Sequence, residues 1–485
     1  MNHGIYISDI PTSVVPPVTT TAGIPVVFGT APINLSDDPT AATNVPILCY
    51  TYAEAVAALG YSKDWENYTL CEAMYAFFQL FAVAPVIFIN VLDPTVHKTT
   101  VTDKAVTLVA DSVSLTDAGI LLSSLVVKLT ALGQPLILGT DYIAAFNDNG
   151  YVVVSRIVSG AITLATSGLV VTYNKLSPST VASTDIVGGV NATTGVYTGL
   201  ELLNQVFPLF RLVPGQVLAP YWSTIPAVAA VMEAKAASIN GVFRAIALVD
   251  IPTATVTKYS AAPAWINSNN YQFPRQIVCW PKVSLSGQIF HMSTQLAALN
   301  CLLDSQNDEI PYQSPSNNNL QMDSLVLANG TKVVFGMEEA NYINGQGIVT
   351  ALNWIGGWRA WGNRTACYPS NTDPKDSFIS IRRMFDWIGN TFIQTYWSKV
   401  DRPVNRVLIE TLVDSENIRL NGLTSRGFIL GGNMQFLASE NPTTDLMNGI
   451  IRFHTYVTPP TPAEEIEDYL EYDTSYLSTL FSSNS

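Results

Sequence analysis

Residues 228–252 read VAAVMEAKAASINGVFRAIALVDIP. The first twelve predict a helix, and 244–252 predict a buried strand closed by Pro252. A second strand, RQIVCWP at 275–281, is closed by Pro281 and followed by a helix over 294–304, TQLAALNCLLD. Strands and helices alternating at this spacing imply a parallel sheet with crossover helices. The same texture appears nearer the N-terminus. PVVFGTA at 25–31 reads as a buried strand, and helical segments follow around 52–59 and 66–82. VIFINVLD at 86–93 is a continuous apolar run of the kind parallel sheets bury on both faces. Residues 24–94 and 186–355 therefore compose one α/β middle domain.

Between these two halves the texture changes. Residues 95–185 hold neither Trp nor Cys. Short strands (AVTLVA, LVVKL, PLILGTDYIAAF, YVVVSRI, AITLA, LVVTYN) alternate there with turn signals. Asn147-Asp148-Asn149-Gly150 between two of them marks a hairpin. The segment is an inserted all-β module of sandwich or small-barrel type. Residues 356–463 form a C-terminal α+β part. A helix is expected over 377–398, with Phe378, Ile381, Phe385, Ile388, Phe392 and Tyr396 on one stripe and Arg382, Arg383 and Asp386 off it. A second helix is expected from Pro403 to the Asn421-Gly422 stop, with Val404, Val407, Leu408, Leu412 and Ile418 on its apolar face. Two strands, RGFILGGNMQFL and GIIRFHTYV, precede the break Pro459-Pro460-Thr461-Pro462.

Both ends look unlike parts of a domain. Residues 4–10, with Gly4, Ile5, Tyr6, Ile7 and Ile10, make a short strand. The proline- and threonine-rich stretch 11–23 after it fits neither a helix nor a central strand. About a dozen extended residues span roughly 40 Å, so this strand can fold back on its own chain or reach another copy. At the other end Glu464, Glu465, Glu467, Asp468, Glu471 and Asp473 stand without a base among them. By periodicity 464–473 reads equally as a helix, aligning Ile466 and Leu470, or as a strand, with Ile466, Leu470 and Tyr472 on one face.

Composition narrows the function. The 485 residues are 48% apolar but only 13% charged, against about 25% in ordinary soluble domains, as for a surface partly covered by neighbours. The net charge of −14 argues against wrapping nucleic acid. Residues 356–452 carry 11 of the 24 bases against 9 acids, so an acidic end beside an Arg-bearing part suits head-to-tail contact between copies as well as simple solvation. Five cysteines (Cys49, Cys71, Cys279, Cys301, Cys367) without C-x-x-C spacing suggest reduced thiols in a cytoplasmic product. The opening Met1-Asn2-His3-Gly4 does not read as a signal peptide. The most apolar stretch, 70–92, contains Glu72, Gln79, Pro85 and Asn90 and reads as core, so no membrane insertion is expected.

Catalytic constellations do not assemble. G-x-x-x-x-G-K-[ST], H-E-x-x-H and G-x-S-x-G are absent, and Gly345-Gln346-Gly347 lacks the third glycine of a dinucleotide loop. His3, His97, His291 and His454 are scattered; Asp37-Asp38 and Glu338-Glu339 are adjacent pairs, which suit solvated loops better than acid–base work. No enzyme activity, metal or cofactor is expected.

Several segments resemble one family. GWRAWGNRTACYPSN (357–371), KVDRPVNRVLIETLVDSENIRLNGLTSRGFI (399–429) and VTPPTPAEEIEDYLEYDTSYLSTL (457–480) are similar to the C-terminal region of myovirus contractile tail sheath proteins, nearest the small sheaths of temperate phages. The opening G-I-Y-I-S-x-I-P, V-F-G-T-A at 27–31, TGVYTGL at 194–200 and VPG at 213–215 extend the likeness over most of the chain. It fades in 95–185, where such sheaths carry variable outward-facing insertions.

The resemblance implies a homo-oligomeric helical sheath around a tail tube protein, contacting baseplate and tail terminator proteins, in a virion tail assembled in the bacterial cytoplasm. It implies contraction that drives the tube through a cell envelope. It also implies that the C-terminal sheet is completed by arms of neighbouring copies: the N-arm at Gly4–Ile10 and the C-arm at 464–485, the latter as a strand through Ile466, Tyr469, Leu470 and Tyr472 with a short helix at 475–481. Arg359 and Arg364, beside the tryptophan cluster, are expected at a tube or subunit contact or in a local ion pair, and Arg402 and Arg406 at the tube. A sheath of a headless contractile particle is the nearest alternative; an α/β enzyme or a β-module adhesin lies further off.

Overall fold

The computed structural model describes residues 21–163 and 165–480. The N-terminal strand Gly4, Ile5, Tyr6, Ile7 and Ile10, and nearly all of its linker, lie outside them.

The apolar runs form an eight-stranded sheet. Its order is Ile47–Cys49, Val86–Asn90, Pro25–Gly29, Gln216–Leu218, Ile246–Asp250, Gln276–Cys279, Ile348–Trp354 and Gly357–Trp361. The six inner strands are parallel, and the first and last pair antiparallel at the edges. Every residue of Pro25–Gly29, Val86–Asn90 and Ile246–Asp250 is buried, because crossover helices cover both faces. Helices Pro226–Ala237 and Met292–Gln306 pack on the central strand Ile246–Asp250. Gly357–Trp361, grouped by sequence with the C-terminal part, instead closes this sheet against Ile348–Trp354.

Between Val86–Asn90 and Gln216–Leu218 the chain makes two three-stranded antiparallel sheets. One orders Lys98–Thr107, Gly168–Leu176 and Val126–Lys128; the other orders Ser112–Leu115, Val152–Arg156 and Tyr142–Phe146. Their inner faces share a core of their own around Leu115, Val127, Tyr142, Val154, Leu169 and Tyr173. The turn at Asn147 places Gly150 at a φ of 75°, the left-handed conformation glycine adopts freely. AITLA at 161–165, expected as a strand, is none in its described residues; Ile162 fills the module core from a loop.

Helix Ile379–Tyr396 belongs to two cores. Ile379 packs with the large sheet, whereas Met384, Trp387, Ile388 and Tyr396 join Leu412, Leu420, Leu423, Ile429 and Met434 in a second cluster. The expected polar side is a correction: Arg382, Arg383 and Asp386 are all buried. Arg383 pairs with Asp304, its Nη1 3.0 Å from Oδ1. Asp386 accepts from Arg275 (Nη2, 2.9 Å) and Arg382 (Nη2, 2.8 Å), and Arg382 also reaches Asp376 at 3.0 Å. Three cations thus face three carboxylates, and pairing is what lets the helix bury both sides.

The next helix runs Arg406–Ser425, not from Pro403 to Asn421. Asn405 is its N-cap, accepting from Leu408 N at 2.8 Å, so the asparagine cap prevails over the proline two residues earlier. Gly422 is carried inside the helix. The apolar face is also turned. Leu412, Leu420 and Leu423 are buried, while Val404, Val407 and Ile418 are exposed.

Candidate assembly interface

Helix Arg406–Ser425 packs on a two-stranded antiparallel sheet, Gly431–Gln435 with His454–Thr458, in register Met434↔Thr455. A lone pair of strands is marginal, and it presents two edges. These edges are not equivalent. Asn417 on the helix donates from Nδ2 to Met434 O (3.0 Å) and accepts at Oδ1 from Met434 N (2.7 Å). One amide side chain therefore occupies both outward main-chain groups of Met434, and the helix that carries it lies along Gly431–Gln435. Because Met434 points away from its partner strand, Thr455 opposite it points away too, and so does Val457 two residues on. Neither residue's N–H has a partner among the described residues. His454–Thr458 is the open edge.

The C-terminal segment that follows has no regular secondary structure over 459–473 and ends in a 3₁₀ turn, Thr474–Leu480. Neither the helix nor the strand considered for 464–473 forms within the isolated chain. Ile466, Tyr469, Leu470 and Tyr472 are 88%, 85%, 92% and 76% exposed, a run of apolar side chains left uncovered by the subunit.

The arm has a fixed root. Glu464 lies against Arg364, which donates from Nε to Oε1 at 2.8 Å and from Nη2 to Oε2, while its Nη1 reaches Ser377 Oγ at 3.0 Å. The guanidinium carbon sits 3.6 Å from the Phe378 ring centroid and 4.4 Å from that of Tyr368. Arg364 thus makes an ion pair within the chain, and Glu464, expected near a neighbour's arginines, meets its own. Arg359 makes no ion pair among the described residues; it holds the carbonyls of Ile355 (3.1 Å) and Asn317 (2.7 Å) around the hairpin tip. Arg402 is exposed. Arg406 is exposed too and pairs with Glu410 one turn on.

The root of the N-terminal segment is held as well. Gly23 O accepts from Gln216 Nε2 and Cys301 Sγ, each at 3.0 Å, and Gly215 N donates to Ile24 O at 2.9 Å. Burial, then the Asp304 charge, pushes the Cys301 thiol upward, so it remains an S–H donor. A Cβ on Gly215 would stand 1.8 Å from Ala22 O, which explains the glycine of the VPG segment. Asn417 and Gln216 carried no sequence signal, since their partners lie 17 and 193 residues away.

Among the described residues no three His, Cys, Asp or Glu side chains gather to hold a metal, and no helix is long and apolar enough to cross a membrane. All five cysteines are free.

No family model matches the chain. The tail sheath protein of Burkholderia phage BcepMu is 29% identical over 493 residues, covering 99% of this chain and 99% of that protein. The tail sheath protein of Escherichia phage P2 is 27% identical over 145 residues, 30% of this chain and 35% of its own length. Among solved structures, the contracted sheath complex of the extracellular contractile injection system PVC superposes with a TM-score of 0.56 at 13% identity, covering 98% of this chain and 99% of that one. The contracted helical sheath of the anti-feeding prophage gives 0.54 at 13%, covering 97% and 99%. The fold is that of contractile sheath subunits. The chain is thus similar over its whole length to a phage tail sheath protein and shares its fold with contractile sheath subunits.

Proposed function

We propose that the chain is the structural subunit of a phage tail sheath, polymerising helically around a tail tube and contracting to drive it through the host envelope. Copies are joined by strand exchange. One observation carries this linkage: a two-stranded sheet with a single unobstructed edge, on a molecule whose own C-terminal segment is exposed and unpaired. In strand addition, main-chain hydrogen bonds supply affinity and alternate side chains supply register. A contact between different surfaces propagates instead of closing, which gives a helix of copies. The N-arm, Gly4–Ile10, is the second linking strand. The exposed side of the C-terminal part, with Arg402, Arg406, Val404 and Val407, rests on the tube protein; baseplate and terminator proteins cap the ends of the polymer. The sequence relatives named above are phage proteins, which favours a virion tail, assembled in the host cytoplasm, over a headless particle.

Negative-stain microscopy of the purified chain and of residues 21–485 tests the linkage. The full chain forms tubes or cogwheel-like rings, and the shortened chain forms no long tubes. Identical monodisperse particles in both samples would refute it.

A further inference from the structure

We infer that Arg364 and Glu464 form a clasp that sets the direction and reach of the C-terminal arm before a neighbour captures it. The inference rests on the strand-exchange reading and adds a determinant to it. The socket is built before the arm arrives. Thr365 N donates to Ser377 O (2.9 Å), Thr365 Oγ1 to Asp376 O (2.6 Å), and Ile379 N to Asn363 O (2.9 Å), so the loop carrying Arg364 is tied to the start of helix Ile379–Tyr396. Phe378 and Tyr368 hold the guanidinium plane, and Ser377 takes one of its free donors. The Arg364 side chain is 14% exposed, against 41% for Glu464. What is left on the fork fits one planar carboxylate in two-point contact, the geometry arginine matches and lysine does not.

The consequence is mechanical. With the clasp closed the arm pivots at Glu464, and the six residues to Leu470 span about 20 Å at full extension. With it open the pivot retreats to the proline break at 459–462, and several more residues must be ordered when the arm docks. Pre-ordering a segment raises affinity by removing that cost from the binding step. Arg364 and Glu464 are therefore positioning residues: they touch no partner, and they decide where the arm can find one.

The test measures the critical concentration for assembly, by sedimentation and microscopy, for the full chain, E464Q, R364K, the double variant and a chain ending at Ala463. Thermal melting of the unassembled subunit is recorded alongside. E464Q alters only the half-exposed partner and leaves the socket whole. The expected result is a rise of about tenfold in either single variant, which corresponds to about 1.4 kcal/mol. The double variant shows no further rise, because both changes break one contact. Melting of E464Q is unchanged, and the full chain's critical concentration climbs with salt more steeply than that of E464Q. If the shortened chain fails to assemble while E464Q and R364K assemble like the full chain, the clasp is refuted and strand exchange stands. If the shortened chain assembles normally, both fall.

Discussion

A subunit ending at Ala463 is expected to fold and melt as the full chain does, and to form no sheath at any practical concentration. Within the subunit the arm contributes almost nothing: beyond Glu464, the apolar side chains Ile466, Tyr469, Leu470 and Tyr472 are all largely exposed. Between subunits, under the proposed strand exchange, it contributes a great deal. Four main-chain hydrogen bonds, an N–H and a C=O each at Thr455 and Val457, at roughly 0.5–1.5 kcal/mol each give several kcal/mol. Burying Ile466 and Leu470 adds about 1.5–3 kcal/mol apiece. Losing even half of that at every junction weakens each contact by roughly a thousandfold. Sedimentation velocity across a concentration series, with a melting curve, checks both halves. A shortened chain that still builds tubes would mean that the copies are held by other surfaces.

The largest expected loss of stability is at the other end of the same helix system. Replacing Arg383 by Met leaves Asp304 as an uncompensated buried charge, and breaking such a pair costs about 3–5 kcal/mol. Both side chains are almost wholly enclosed, at 3% and 2% exposure. Burial pushes the Asp304 carboxyl above its ordinary 3.8, and Arg383 pulls it back. Without Arg383 the folded-state value rises further. A carboxyl whose folded value is raised is most stable protonated, so its contribution is complete below 3.8 and is lost as pH rises through the raised value. The deficit of R383M is therefore greatest near neutral pH and shrinks toward acid, as urea midpoints at several pH values will show. A deficit that is flat with pH would mean Asp304 finds another partner. Because Asp304 also lies beside Gly23, where a Cβ would come within 2.7 Å of its Oδ2, the same change is expected to loosen the root of the N-terminal segment.

Some of this architecture was readable in the sequence and some was not, for physical reasons. The runs at 86–90, 246–250 and 276–279 announce themselves because a strand buried on both faces must be apolar at every position. Asn147 to Gly150 announces a hairpin because few other residues accept its backbone. Helix Ile379–Tyr396 misled in one respect. Arg382, Arg383 and Asp386 look like a solvent face, and only partners such as Asp304, 79 residues away from Arg383, and Arg275, 111 away from Asp386, make them core. Val404, Val407 and Ile418 misled in the opposite sense. Their spacing promises an inner face, yet the subunit leaves them exposed, and only the proposed contact with another chain would cover them. Periodicity registers an apolar face, not what it packs against. For the same reason the arm at 464–473 read equally as helix or strand: its conformation is not settled within its own subunit.

The open edge offers the most direct measurement. In a cryo-EM map of the assembled sheath, strand exchange predicts residues 466–472 of one copy as a strand on His454–Thr458 of another, with main-chain bonds at Thr455 and Val457 and none on the edge that Asn417 covers. An edge left unpaired in the polymer, or filled by its own chain's arm, would contradict it.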